Sequence, residues 1–265
     1  GAGGTYGDLG EGSTSNMPGS RANAVTWTDS NGDFWLFGGY SEDYDQYFND
    51  LWRYNIESGE WTWVAGNDFL GEDPVYGTLG EPSDESLPGG RSGAAAWYGD
   101  DGKLWLFGGH GKDNYNFRWW MNDLWSFNPT TGQWAWEGGP TYGGNSGIYG
   151  SLGEANIDNN PGSRRDAAEF KSSDGSFWLF GGSELGYYND LFQLNPSSLE
   201  WTWWGGNDKP IKEKSGHYGV PGNGQVPTPG GRMGAIEWVD NDGDLWLLGG
   251  TNDPNEKLGG TDDPY

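Results

Sequence analysis

One string returns four times along the chain. It reads Phe34-Trp35-Leu36-Phe37-Gly38-Gly39, then Leu104-Trp105-Leu106-Phe107-Gly108-Gly109, Phe177-Trp178-Leu179-Phe180-Gly181-Gly182 and Leu245-Trp246-Leu247-Leu248-Gly249-Gly250. The glycine pairs lie 70, 73 and 68 residues apart. Self-similarity at a near-constant period constrains a fold more than any single residue does, so a repeat protein is expected.

Within the first copy, Pro18-Gly19-Ser20-Arg21 precedes a short strand from Ala22 to Trp27. Asp29-Ser30-Asn31-Gly32-Asp33 contains Asn-Gly, the strongest short hairpin signal, and Phe34 to Phe37 return as an apolar strand. Asn49-Asp50-Leu51-Trp52-Arg53-Tyr54-Asn55 reads as a third strand, and Trp61-Thr62-Trp63, after the turn at Gly59, opens a fourth. The order recurs from Pro88-Gly89-Gly90-Arg91 to Trp136 and from Pro161-Gly162-Ser163-Arg164 to Trp203. The fourth copy starts at Pro229 and, after Gly250, shows neither Asn-Asp-Leu nor Trp-X-Trp.

Four short antiparallel strands per repeat predict an all-β chain whose sheets are blades around a channel. In its paired glycines, its third-strand residue (Tyr54, Phe127, Leu194) and the Trp opening the fourth strand (Trp61, Trp134, Trp201), the sequence resembles the kelch-repeat β-propellers. The resemblance implies four-stranded blades over about 18–63, 88–136 and 161–203, a half blade over 229–250, and one propeller segment over 1–265. Further blades or self-association are then needed to close a ring. The repeats exceed the usual kelch length of roughly 50 residues through segments carrying Tyr6-Gly7, Tyr76-Gly77, Tyr149-Gly150 and Tyr218-Gly219. Arg21, Arg91, Arg164 and Arg232 recur where a fork of donors would tie blade to blade.

Composition narrows the partners. With 39 acidic against 14 basic residues the net charge is −25, a field that repels nucleic acid and anionic membrane. No apolar run is long enough for membrane insertion. The hydrophobic fraction of 33% is low only because it omits 50 Gly, and 18 regularly spaced Trp argue for a packed fold. The absence of Cys removes disulfides, thiolate metal sites and the Cys-Tyr copper chemistry of some kelch enzymes. An acidic, Trp-rich, Lys-poor chain that begins without Met reads as an excerpt of a secreted or surface protein.

Function is expected where the copies differ. Between Gly-Gly and Asn-Asp the loops hold Tyr44, Tyr47 and Phe48 in the first copy, His110, Tyr115, Phe117, Trp119 and Trp120 in the second, and Tyr187 and Tyr188 in the third. Aromatics among carboxylates and amides suit stacking on a carbohydrate or anchoring a protein, which makes a non-catalytic binding or assembly module the leading expectation. A carbohydrate-active enzyme needs an acid/base pair, for which Glu169 and Glu237, at matching places in two first strands, are the candidates. A third reading is a structural subunit that pairs through unpaired strand edges. Asp29 with Asp33, and Asp240 with Asp242 and Asp244, space oxygen ligands around a glycine as calcium requires, although a plain hairpin turn explains them better. No cofactor is otherwise expected, and His110 and His217 stand in no metal-ligand spacing.

Overall fold

The computed structural model describes residues 3–210, 216 and 228–252, so the candidates His217 and Tyr218 lie outside the described residues, as does most of the tail after Gly250. Among the described residues the chain is all-β, in antiparallel sheets that follow the repeats, and none of the sheets closes on itself. The first repeat forms Val25–Thr28, Phe34–Phe37, Leu51–Asn55 and Glu60–Ala65 in spatial order, with Gly12–Ser13 added outside the last. The second forms Ala95–Tyr98, Leu104–Lys112, Arg118–Asn128 and Gln133–Gly138, with Arg91–Ser92 paired to the distal part of its second strand. The third is Ala168–Lys171, Phe177–Phe180, Leu191–Asn195 and Glu200–Gly205, and the fourth is the hairpin of Met233–Val239 and Leu245–Thr251.

Strand alternation sends successive side chains to opposite faces, and what covers each face decides the burial pattern. In Val25–Thr28, Val25 and Trp27 are buried while Thr26 and Thr28 are exposed. In Ala95–Tyr98, inside the stack, Ala95, Ala96 and Trp97 are all buried because sheets cover both faces. Three apolar clusters fill the gaps between consecutive sheets: Trp27, Phe37 and Leu51 meet Leu106, Phe127 and Trp134; Trp97 and Phe107 meet Phe177 and Trp201; Phe170 and Phe180 meet Leu245 and Leu247.

Backbone hydrogen bonds link the sheets in a repeating pattern. The amides of Gly39, Gly109 and Gly182 each donate 2.8 Å to the carbonyl of Arg91, Arg164 and Arg232 in the next repeat. Nearer the first strands, Gly93 donates to Asn23, Asp166 to Gly93 and Gly234 to Asp166, at 2.9, 2.8 and 2.9 Å. All four of these residues have positive φ (50°, 63°, 53° and 59° along the chain), a conformation glycine adopts freely and Asn and Asp tolerate.

The recurring arginines correct the expectation drawn from sequence. The side chains of Arg21, Arg91 and Arg164 each fork onto an aspartate of their own repeat, and it is the backbone of Arg91, Arg164 and Arg232 that bridges. Arg91 Nη1 and Nη2 donate to Asp123 Oδ1 and Oδ2 at 2.7 and 2.9 Å, and its remaining donors reach the carbonyls of Gly89 and Gly108. Trp125 Nε1 and the Tyr76 hydroxyl also donate to Asp123, at 2.7 and 3.0 Å. Arg21 with Asp50 and Tyr6, and Arg164 with Asp190 and Tyr149, repeat the arrangement. The Tyr-Gly segments are therefore more than connections. Those of Tyr6, Tyr76 and Tyr149 each run along the outer strand of the repeat they precede, as in Gly80 N–H to Trp136 O at 2.7 Å, and deliver the tyrosine to a buried carboxylate. Burial, and next the adjacent carboxylate, push the Tyr6, Tyr76 and Tyr149 phenols far above their ordinary range.

Two further details differ from expectation. The first strand begins at Val25, since Asn23 turns away from it. The Asp29 hairpin is not an Asn-Gly turn of the primed type: Gly32 has φ 83° and Asn31 is not among the residues of positive φ, so a type I turn leads into a left-handed glycine. Asp29 Oδ1 accepts the amides of Asn31 and Asp33, and Oδ2 accepts Trp35 Nε1 at 2.9 Å.

Candidate functional site

In the second repeat the stretch 110–121 is not a loop. Its strands run past Gly108-Gly109, across a register shift between Phe107 and Gly109, and pair His110 with Trp120, Gly111 with Trp119 and Lys112 with Arg118. The result is an arm longer than the two-residue pairing of Tyr40–Ser41 with Gln46–Tyr47 at the same place in the first repeat. Its tip is closed by Asp113, whose buried carboxylate accepts the amides of Tyr115 and Phe117 at 2.9 and 3.0 Å, with Asn116 at φ 63°. With the backbone of the turn held in this way, the tip side chains point outward. Tyr115, Phe117 and Trp119 are 65%, 61% and 40% exposed.

The segment after the repeat braces the arm. Asn114 N–H donates to Thr141 O at 3.0 Å, and Gly144 N–H to Trp120 O at 2.9 Å. A Cβ on Gly143 would stand 2.4 Å from the Trp119 Cβ, so only glycine permits this approach. The neighbouring Tyr142 is exposed, with its ring 6.5 Å from that of Tyr115. Tyr142 stands in a segment between repeats, where no repeat motif marks it in the sequence. On the first-repeat side, Arg118 donates to Asp45 Oδ1 at 3.0 Å and lies 5.7 Å over the Tyr47 ring. The Tyr40 hydroxyl also bonds Asp45, at 2.7 Å, and this bond first, with Arg118 after it, holds the Asp45 carboxyl below the usual range.

The other aromatic candidates divide by burial. Phe48 and Tyr188 are buried beneath Arg21 and Arg164, whose guanidinium carbons sit 3.8 and 4.0 Å from the ring centroids. Tyr47 and Tyr187 are buried as well. These four rings pack the scaffold and present no open face to a ligand, which corrects their assignment as stacking residues. His110 is also buried; its Nδ1 lies 2.6 Å from the Tyr47 hydroxyl, and burial, with Arg165 and Arg118 adding to it, lowers its pKa to about 3. The imidazole is neutral, and the Tyr47 phenol is pushed up to about 12, chiefly by burial. Trp120 is half-buried, with its ring 5.1 Å from His110. Tyr44 is exposed in the first-repeat loop.

The structure brings the two candidate carboxylates together. Thr26, Ala96, Glu169 and Glu237 stand opposite Leu36, Leu106, Leu179 and Leu247 in their sheets, and the first strands of successive repeats are in contact. Glu169 is half-buried between two such strands. Burial first, and then the charge of Glu237, raise its pKa well above the ordinary value, against a hydrogen bond from the Ala96 amide. Burial raises Glu237 as well. A carboxyl with a raised folded-state pKa binds more protons folded than unfolded, so its contribution is complete below the ordinary glutamate pKa and is lost as pH rises through the folded value. Glu169→Gln, which keeps the oxygen facing Ala96, is expected to raise Tm at neutral pH by on the order of 2–4 °C and to leave it unchanged at pH 4. Thermal scans at the two pH values check this; an equal gain at both would contradict it.

The calcium candidates are spoken for locally. Asp240 Oδ1 accepts the amides of Asp242 and Asp244 at 3.0 and 2.9 Å and Oδ2 takes Trp246 Nε1, repeating the Asp29 turn. Asp33 accepts Asn55 Nδ2 and the Ile56 amide. Among the described residues no group of three or more His, Asp or Glu side chains is placed to hold a metal ion.

No family model matches the sequence, and no curated protein matches it. Among solved structures the chain is similar to "Structure of YjhT", with a TM-score of 0.52 and 18% identity over 86% of this chain and 59% of that one. The chain thus spans about 59% of the length of that structure, and the likeness at this identity concerns the fold alone.

Proposed function

We propose that the four sheets are blades of a kelch-like β-propeller segment and that the chain is a non-catalytic binding module, taking a neutral carbohydrate on the arm of the second repeat. The radial reading is supported by the repeated linkage of first strands through Asn23, Gly93, Asp166 and Gly234. The binding reading rests on one observation: the arm holds Tyr115, Phe117 and Trp119 outward together, beside Tyr142, on a turn fixed by Asp113. Flat apolar faces stack on the C–H surface of sugar rings, and exposed Asn114 and Asn116 supply amides for hydroxyl groups. A net charge of −25 disfavours polyanionic ligands.

The test is a glycan array probed with the protein and with a Phe117→Ala, Trp119→Ala variant. The variant is expected to lose binding roughly tenfold or more, as stacking residues at a binding centre do, while its melting temperature stays within about 2 °C, because exposed side chains contribute little to stability. Undiminished binding by a folded variant would overturn the assignment.

A second reading, a carbohydrate-active enzyme, is favoured by the matching places of Glu169 and Glu237 on first strands that are in contact. It requires that either Glu→Gln change abolish turnover of a glycoside. Turnover retained in both variants rejects it.

A further inference from the structure

The two ends of the stack carry complementary faces. At every internal junction a repeat turns the same face toward its successor: Val25, Trp27, Trp35 and Phe37 in the first, and Ala95, Trp97, Trp105 and Phe107 in the second, all buried. The same positions in the fourth repeat are Ile236, Trp238, Trp246 and Leu248, at 65%, 43%, 48% and 59% exposed. Among the described residues nothing covers them. Trp238 and Trp246 stack on each other there, 5.8 Å apart and 6° from parallel.

The opposite face of each repeat receives its predecessor. Leu104, Leu106 and Phe127 do so in the second repeat and are fully buried. Their counterparts at the start of the chain are Phe34, 45% exposed, with Leu36 and Tyr54 half-buried. Phe34 and Tyr54 stack at 6.4 Å and 7°. One end of the chain thus presents the face that every repeat turns forward, and the other presents the face that receives it.

We infer that the occupant of the fourth-repeat face is the first repeat of a second copy of this chain, seated as the second repeat is seated on the first. Three internal copies of the junction are the template. By their pattern the Gly250 amide donates to the Arg21 carbonyl of the second copy, as Gly39 does to Arg91, and Asn23 of that copy donates to the Gly234 carbonyl, as Gly93 does to Asn23. The contact is heterologous, and with two copies it closes when both ends engage. Each chain carries a charge of −25, so mutual repulsion opposes association and added salt strengthens it.

Light scattering after size exclusion reads this directly. A mass of twice 29.0 kDa is expected, with the paired fraction rising between low and moderate salt. Phe34→Glu and Leu248→Glu, each on an exposed side chain, should separately return the mass to that of one copy with circular dichroism unchanged. Mixed together, the two variants should recover pairing, because one wild-type junction remains available. A single copy at all concentrations and salts would overturn the inference and leave the faces to other repeats. Pairing that survives Phe34→Glu would also overturn it, since the fourth-repeat faces would then be meeting each other.

Discussion

Asp123→Ala is expected to destabilise the protein by about 3–5 kcal/mol, the range for breaking a buried ion pair from one side. Arg91 and Asp123 are both fully buried, so the substitution leaves a guanidinium without its counter-charge, and the Tyr76 hydroxyl and Trp125 N–H lose their acceptor too. The loss comes from desolvated groups left unpaired more than from the attraction forgone. Asp100→Ala is the matched control: Asp100 pairs with Lys171 at 2.6 Å, but its side chain is largely in solvent, and exposed pairs contribute about 0–1 kcal/mol. Denaturant midpoints for the two variants check the contrast. Similar losses would mean that the Arg-Asp unit does not hold the second repeat as described.

Trp134→Ala is expected to cost about 3–5 kcal/mol, as deletion of a buried aromatic does. Trp134 fills the gap between the first and second sheets, with its ring 5.3 Å from Phe37 and 5.1 Å from Phe127. Its Nε1 has no hydrogen-bond partner, so the loss is one of packing and cavity. Trp119→Ala removes the same side chain from the exposed arm and is expected to change stability by under about 1 kcal/mol. Chemical denaturation followed by circular dichroism separates the two. A Trp119 variant as unstable as the Trp134 variant would place the arm in the scaffold and remove it as the site.

Much of this division can be read in the sequence, and its failures have physical causes. Repetition of Trp-Leu-Phe-Gly-Gly identifies the strands and the crowded glycine corners, because each repeat meets the same neighbour. The role of Asp50, Asp123 and Asp190 is not readable from the Asn-Asp-Leu string that contains them, since their partners lie 26–32 residues upstream. Glu169 and Glu237 are brought together as their matching places suggest, because register is inherited from repeat to repeat. Composition groups Phe48 and Tyr188 with Tyr44 and Tyr115, yet their position directly before Asn-Asp places them under an arginine in the first and third repeats. The arm is not legible as a pair of strands because Trp119-Trp120-Met121 breaks the alternation that marks a half-buried strand. Alternation fails there because Trp120 packs on His110 and Met121 is buried, while Trp119 rests on the backbone of Gly143 and Gly144.

The central claim is that the repeats form one continuous stack in which recurring residues are scaffold. Amide hydrogen exchange tests it most directly, at the six inter-repeat donors Gly39, Gly109, Gly182, Gly93, Asp166 and Gly234. A continuous stack predicts that these six exchange as slowly as the amides within the second and third strands, because they open only when sheets separate. Rapid exchange at all six, with the strand amides still protected, would show sheets that form without stacking and would contradict the account.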